Sequence, residues 1–292
     1  MWAPAILALL LHTPLAQAFS APSSVFNNVS KIGILTSGGD CPSLNACIRA
    51  ILKTAETRDV EVFGLPRGFP GIIEDPPAIF KLDASYASAA MLTKGGSRLG
   101  GSVGSDYKLI DSLSLDEKAS RISAALSELE IDGIIATGGD TSMDLIAQML
   151  QYATGNIPFI GIPKSIDNDI PSTIYSIGFQ SAVATAAKSI AAVRDTAESH
   201  RRVIVVECMG RNAGFLTLHS GIAGGADTIL LPEFPVHNTQ LLKHVEEVYK
   251  KHECAVVVVS EAIRLSNSGK TSKYVPMFVP LQIIVLMKKT VH

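Results

Sequence analysis

The chain has 292 residues, 47% of them hydrophobic, 18% charged and 6% aromatic, with 25 basic against 27 acidic side chains and a formal net charge of −2. That balance excludes a disordered tail, a collagen-like or low-complexity chain, and a nucleic-acid binder of the basic-stripe kind. The length suits about two domains, and Cys41, Cys47, Cys208 and Cys254 form no C-x-x-C pair, so we read them as reduced, packed thiols.

No Lys, Arg, Asp or Glu precedes Lys31. The apolar run Ala5–Leu11, followed by Ala16-Gln17-Ala18, has the form of a cleavable signal over residues 1–18, with a plain disordered extension as the alternative. The run falls well short of the roughly 20 residues a membrane span needs. Residues 19–30 read as a Ser/Asn-rich leader or linker. With Phe19 at the new terminus, this leader resembles the two-part leaders of algae with complex plastids. The resemblance implies an organelle reached through the secretory route, the cytoplasm being the alternative.

From Lys31 onward, apolar runs alternate with helical patterns. Lys31–Thr36 reads as a buried strand ending in Ser37-Gly38-Gly39-Asp40. Pro42 suits a first helical turn, and Leu44, Ile48, Ile51 and Ala55 repeat at helical spacing behind it. The unit recurs as Ile131–Thr137, then Gly138-Gly139-Asp140, then a helix carrying Leu145, Ile146, Met149 and Leu150, with Gly155 as its stop. Phe159–Ile162 is a third run and ends in the polar segment Pro163–Asp169. Val203–Glu207, Thr228–Leu231 and Ala255–Ser260 are further strand candidates. Strands without polar alternation, separated by helices, predict α/β architecture with two three-layer, Rossmann-like domains and largely parallel sheets. We place the first at 31–165 and a partial second at 166–265, followed by a tail at 266–292.

Three polar loops fall at the carboxyl ends of predicted strands, where open α/β sheets bind ligands. Paired glycines let backbone N–H groups approach phosphate oxygens, and the helix that follows favours negative charge. An Asp after such glycines suits Mg²⁺, which takes one or two carboxylates and completes its shell with phosphate and water. A tight turn explains one such loop equally well; two of them beside a third acidic loop favour a phosphate-and-metal site. In an extended loop Asp167 and Asp169 face the same way, suiting one as a base for a hydroxyl and the other for substrate or metal. A solvated turn is the bland reading of Asp-Asn-Asp. Arg201, Arg202 and Arg211 flank the Val203–Glu207 run; a surface place explains Arg201 as well as ligand contact does, whereas Arg211, in Gly210–Gly214, suits a phosphate or carboxylate ligand.

These stretches resemble the phosphofructokinase family. The matching segments are Ile34–Asn45, Ala136–Ser142, Gly161–Ile170, Val206–Gly214, Ile222–Asp227 and Leu231–Glu233, in order and with family-like spacing. The resemblance implies phosphoryl transfer from diphosphate or ATP to the 1-hydroxyl of fructose 6-phosphate, in glycolysis, with Mg²⁺. It gives Gly38, Gly39, Gly139, Thr141 and Lys164 to the phosphoryl donor and Asp140 to the metal. Asp167 becomes the base, with Lys164 and Arg211 assisting the transfer. Ser165, Asp169, Met209, Gly210, Arg211 and Glu261 hold the sugar phosphate. Arg202 matches an arginine that reaches into a neighbouring subunit, which implies a homo-oligomer. Side chains at Thr141 and Lys164 narrow the room for a nucleotide, so we expect diphosphate, with ATP as the alternative donor.

Two departures stand out. Gly95–Val103 resembles the family's next glycine loop, but Val103 replaces an expected phosphate-binding arginine, and Arg98 substitutes only if the loop is re-aimed. Beyond Glu261 the family's histidine-and-arginine loop is not recognisable, and we expect a truncated chain with an uncovered sheet edge. These departures motivate a second hypothesis, a non-catalytic sugar-phosphate-binding or regulatory subunit. A lipid or nicotinamide-nucleotide kinase is a third, but it does not predict the Pro163–Asp169 and Met209–Gly214 stretches.

Overall fold

The computed structural model describes residues 29–101, 108, 110–154, 157–171, 173–210, 212–261, 263, 265–267, 270–271 and 283–286. The expected signal, Val103, Gly155 and Arg211 lie outside these residues, as do the side chains of Asp140 and Thr141.

Apolar runs make the centre of the first sheet. Strand β1 (Lys31–Thr36) lies between β2 (Glu61–Leu65) and β4 (Gly133–Gly138), all parallel, and β5 (Phe159–Ser165) continues the parallel set beyond β4. Short strands finish the two edges: β3 (Phe80–Lys81) runs antiparallel to β2, and β6 (Ile177–Gly178) runs parallel to β5. The strand order β3-β2-β1-β4-β5-β6 reverses direction between β1 and β4, so a topological switch point opens beyond their carboxyl ends.

Helices cover both faces, as a parallel sheet requires. On one face α1 (Leu44–Glu56) packs Leu44, Ile48 and Ala55 inward. On the other are α2 (Phe69–Ile73), α3 (Leu115–Glu128) and α4 (Asp140–Thr154), sharing a core of Leu65, Ile72, Ile122, Leu126, Ile134 and Ile146. Helix α3 starts in a capping box: the Ser114 hydroxyl accepts from the Glu117 amide, and the Glu117 carboxylate accepts from the Ser114 amide at 2.8 Å. Each group satisfies an N–H that the first helical turn leaves open.

The long helix α5 (Phe179–His200) leads to the second sheet, in which β7 (Val203–Cys208), β10 (Ala255–Ser260) and β8 (Thr228–Leu230) are parallel. Ile190 of α5 packs with Ile204, Val206, Val256 and Val258. Helix α6 (Phe215–Ala223) precedes β8. Next come β9 (Val236–His237) and helix α7 (Asn238–His252), and β11 (Leu265–Asn267) joins β9 to β12 (Lys270–Thr271) in a small third sheet. The last strand, β13 (Ile283–Leu286), runs antiparallel beside β7.

Five details depart from the sequence reading. Pro42 precedes the first helical turn, because Ser43 takes a left-handed backbone (φ 75°) and α1 begins at Leu44. Leu145 is 43% exposed, since the buried face of α4 runs through Ile146, Met149 and Leu150. Lys164 and Ser165 belong to β5 and not to a loop, because β6 pairs with them. That pairing carries the first sheet through Gly178, past the boundary expected at 165. One side of β7 is paired by Ile283–Leu286, from the segment read as a tail outside the domain.

Candidate active site

The loops after β1 and β4 lie side by side at the switch point. The Ser37 amide donates to the Thr137 carbonyl at 2.9 Å, which ties the first glycine pair to the end of β4. Gly38 has φ +79°, and a Cβ there would sit 3.3 Å from both Lys164 Nζ and Ser142 Oγ. Gly39 differs: a Cβ on it would meet nothing within 4 Å, so its face opens onto free space. Gly139 lies against the Lys164 carbonyl, 3.8 Å from its own notional Cβ.

Lys164 is the charged centre of this group. It is only 6% exposed, and its ammonium donates to the Gly39 carbonyl at 2.6 Å. Burial pulls its pKa below the ordinary lysine range, opposed by nearby Cys41, Asp40 and Asp167. The Cys41 thiol, buried against Pro42 and Ile177, is pushed up to about 11, chiefly by burial and against the pull of Lys164. All four cysteines are free, in line with the sequence reading.

After Ser165 the chain turns tightly. Asn168 adopts a left-handed backbone (φ 56°), so the turn is not the extended loop that alternation suggested. Ser165 Oγ accepts from the Asp167 amide and donates to the Asp169 carboxylate, each at 3.1 Å. Asp167 is half-buried and Asp169 is exposed. Helix α4 starts at Asp140 directly after β4, and β4 pairs with β5, so Asp140 and the Asp167 turn both lie beyond the carboxyl ends of neighbouring strands.

The second sheet contributes from the end of β7. The Glu261 carboxylate accepts from the Gly210 amide at 3.2 Å, while the Glu261 amide donates to the Cys208 carbonyl at 2.9 Å. Ser260 Oγ donates to the Gly210 carbonyl at 2.7 Å. Burial first, and then the Glu261 charge, push the Glu207 carboxyl upward. Met209 is exposed and lines a cavity of about 410 Å³ that Asp40, Gly95, Gly96 and Ile166 line from the first sheet's side. The two sheets thus meet over one hollow, which Ile166, the residue before Asp167, lines.

Most of the expected residues converge here. Gly38, Gly39, Gly139 and Lys164 form one cluster, Ser165, Asp167 and Asp169 form the turn next to it, and Met209, Gly210 and Glu261 form the facing group. Arg202 does not join them. It precedes β7, and seven residue steps at about 3.3 Å each place it roughly 23 Å from Met209. Arg201 pairs with Glu253 at the surface, at 3.4 Å. Arg98 is not re-aimed: its guanidinium donates to the Ser85 carbonyl and hydroxyl at 3.1 Å and lies 4.0 Å over the Tyr86 ring.

Sequence reasoning missed three supports. Asn45, fully buried on α1, donates to the Lys94 and Gly95 carbonyls and accepts from the Arg98 amide at 2.7 Å, fixing the third glycine loop. Its signal was an amide inside an apolar stripe. Ser176 and Gly178 had no signal of their own: Ser176 Oγ holds the Ser165 carbonyl, and Gly178, at φ +102°, leaves room for Cys41, whose Sγ lies 2.7 Å from where a Cβ would sit.

Two α/β sheets that meet over glycine loops at a switch point define a bilobal α/β protein with its site in the cleft between lobes. Within that class, the chain belongs to the phosphofructokinase family, whose profile matches residues 31–288 and so runs past Glu261. It is 40% identical over 242 residues to ATP-dependent 6-phosphofructokinase 1 of Nostoc sp., covering 81% of this chain and 66% of that one. It is 38% identical over 240 residues to the pyrophosphate–fructose 6-phosphate 1-phosphotransferase of Dictyoglomus thermophilum, covering 80% of this chain and 65% of the relative. Among solved structures, phosphofructokinase from Saccharomyces cerevisiae superposes with TM-score 0.68 at 28% identity, over 80% of this chain and 34% of that one. The chain thus spans about two thirds of the length of these curated relatives.

Proposed function

We propose that the chain transfers a phosphoryl group from diphosphate to the 1-hydroxyl of fructose 6-phosphate, giving fructose 1,6-bisphosphate, with ATP as the alternative donor. The observation that carries this reading is the shared hollow: Asp40 and Ile166, the residue before Asp167, line it from one sheet and Met209 from the other. Such an arrangement brings donor and acceptor together and converts a bimolecular encounter into an oriented one.

In this reading Asp167 accepts the proton of the 1-hydroxyl as its oxygen attacks the donor's terminal phosphorus. The bond from that phosphorus to the bridging oxygen breaks, and the second phosphate, or ADP, leaves with the electron pair. Gly38, Gly39, Gly139 and Thr141 line the donor, and Lys164 supplies the buried cation that neutralises the departing charge. Ser165, Asp169, Met209, Gly210, Arg211 and Glu261 hold the sugar phosphate. Among the described residues no cluster of three or more His, Cys, Asp or Glu forms a dedicated metal cage. Asp140, at the start of α4 directly after a glycine pair, would be the residue to hold Mg²⁺, an ion that needs only one or two carboxylates and takes phosphate and water for the rest. When bound, the ion would supply charge neutralisation on the transferred group. A role for Arg202 requires a second copy of the chain, which supports a homo-oligomer.

The test is a coupled assay with fructose 6-phosphate, Mg²⁺ and either diphosphate or ATP. Turnover that Asp167→Asn lowers by about a thousandfold or more supports the reading, on the scale expected for losing a proton acceptor. No turnover with either donor overturns it. One observation favours a second reading, binding without turnover: Arg98 is engaged by Ser85 and Tyr86 and does not replace the missing arginine. Fructose 6-phosphate binding by calorimetry, without turnover, selects it.

A further inference from the structure

The turn that carries Asp167 is held from outside the glycine cradles. Asn168 Oδ1 accepts from the Ser176 amide at 2.8 Å, and Asn168 Nδ2 donates to the Ile174 carbonyl at 3.1 Å. Ser176 Oγ donates to the Ser165 carbonyl at 2.6 Å, and the side chain is only 4% exposed. Both ends of the Ser165–Asn168 turn are therefore fastened to one serine. That serine is itself anchored, since the Phe179 amide at the start of α5 donates to its carbonyl at 3.3 Å. Phe179 is fully buried, stacked 6.0 Å from Tyr175 and meeting His219 of α6 edge-on at 5.3 Å.

Left-handed backbone at a non-glycine residue persists only where its surroundings over-determine it. Here the Asn168 amide supplies that determination, because it bonds the backbone on either side of Tyr175. We propose that Asn168 and Ser176 are positioning residues for Asp167: they fix the turn so that the base faces the hollow, and they tie its placement to α5 and α6 of the second lobe. This rests on the reading of Asp167 as the base. The hydrogen bonds of both side chains go to Ser165, Ile174 and Ser176 and not to the pair that Lys164 makes with Gly39. A misplacement of about 1 Å at a reacting group costs on the order of a hundredfold in rate.

The experiment compares the wild-type chain with Asn168→Gly and Ser176→Ala. Glycine tolerates the left-handed backbone, so Asn168→Gly removes the side chain without adding strain. Hydrogen exchange of peptides spanning 165–169 and steady-state kinetics are read on each. The expected result is exchange about tenfold faster, confined to that turn, with kcat down about 10- to 100-fold and donor KM within about twofold. Wild-type exchange in both variants overturns the proposal, as does a donor KM that rises as much as kcat falls. Because exchange needs no turnover, accelerated exchange in the variants of a chain whose wild type is inactive upholds the clamp and counts against the phosphotransferase reading instead.

Discussion

The ammonium of Lys164 donates to the carbonyl of Gly39 at 2.6 Å, joining two residues 125 positions apart in the chain. That bond pins the first glycine turn to the end of β5 and sets one buried cation at the floor of the cradle. The two glycines of the turn then have different tasks, which substitution separates.

Gly38→Ala forces a side chain into left-handed backbone and into contact with Lys164 Nζ and Ser142 Oγ. It costs about 1–2 kcal/mol of stability. Gly39→Ala meets nothing within 4 Å, so its unfolding midpoint stays at the wild-type value while the added methyl occupies the opening. Donor KM rises by about tenfold or more if that opening receives phosphate, the scale of one lost close approach. Urea unfolding and donor titration on both variants check the pair.

Cys41 sets an alkaline limit on stability. Its folded pKa is raised from 9.0 to about 11, chiefly by burial. The folded state therefore keeps a proton that the unfolded state gives up, so this stability is complete below pH 9 and is lost as pH rises towards 11. At most about 3 kcal/mol is at stake. Lys164, lowered by burial, acts in the opposite sense, gaining stability as it sheds its proton. In urea melts from pH 8 to 11, Cys41→Ala is the less stable protein at pH 8, and its deficit shrinks as pH rises.

Arg98→Ala removes the stack on Tyr86 and two donors to Ser85. The expected loss is about 1 kcal/mol in thermal or urea unfolding. Donor and fructose 6-phosphate KM stay within about twofold, because the guanidinium is not directed at a phosphate.

Asn45→Ala leaves two carbonyls and one amide of the third glycine loop without their partner. Three part-buried hydrogen bonds lost from one fully buried side chain make this the most destabilising of the five substitutions, at about 2–3 kcal/mol. Exchange at residues 94–98 rises more than at the sheet.

Both the α/β layering and the loops that bear chemistry were legible in the sequence, because apolar runs ending in Gly-Gly-Asp need no tertiary information. Lys31–Thr36 and Ala255–Ser260 are strands at the expected bounds. Local pattern fails where pairing decides conformation. Nothing in Pro163-Lys164-Ser165 announces a strand; β4 pairs Pro163 with Gly138, and β6 pairs Lys164 and Ser165 with residues 177–178. Alternation suggested that Asp167 and Asp169 share a face, but Asn168 turns left-handed because its amide finds Ser176. Arg98 could serve a phosphate only with its loop re-aimed, and the sequence does not show that Tyr86, twelve residues earlier, folds beneath it instead.

Strand β13 enters the second sheet beside Val206 and leaves it beside Val203. Its polypeptide thus travels away from the cleft, down to the rim where Arg202 stands. A fluorophore or affinity handle joined just after Leu286 would hang from that lower rim, reporting on any neighbour that docks at Arg202 while leaving the mouth of the hollow unobstructed.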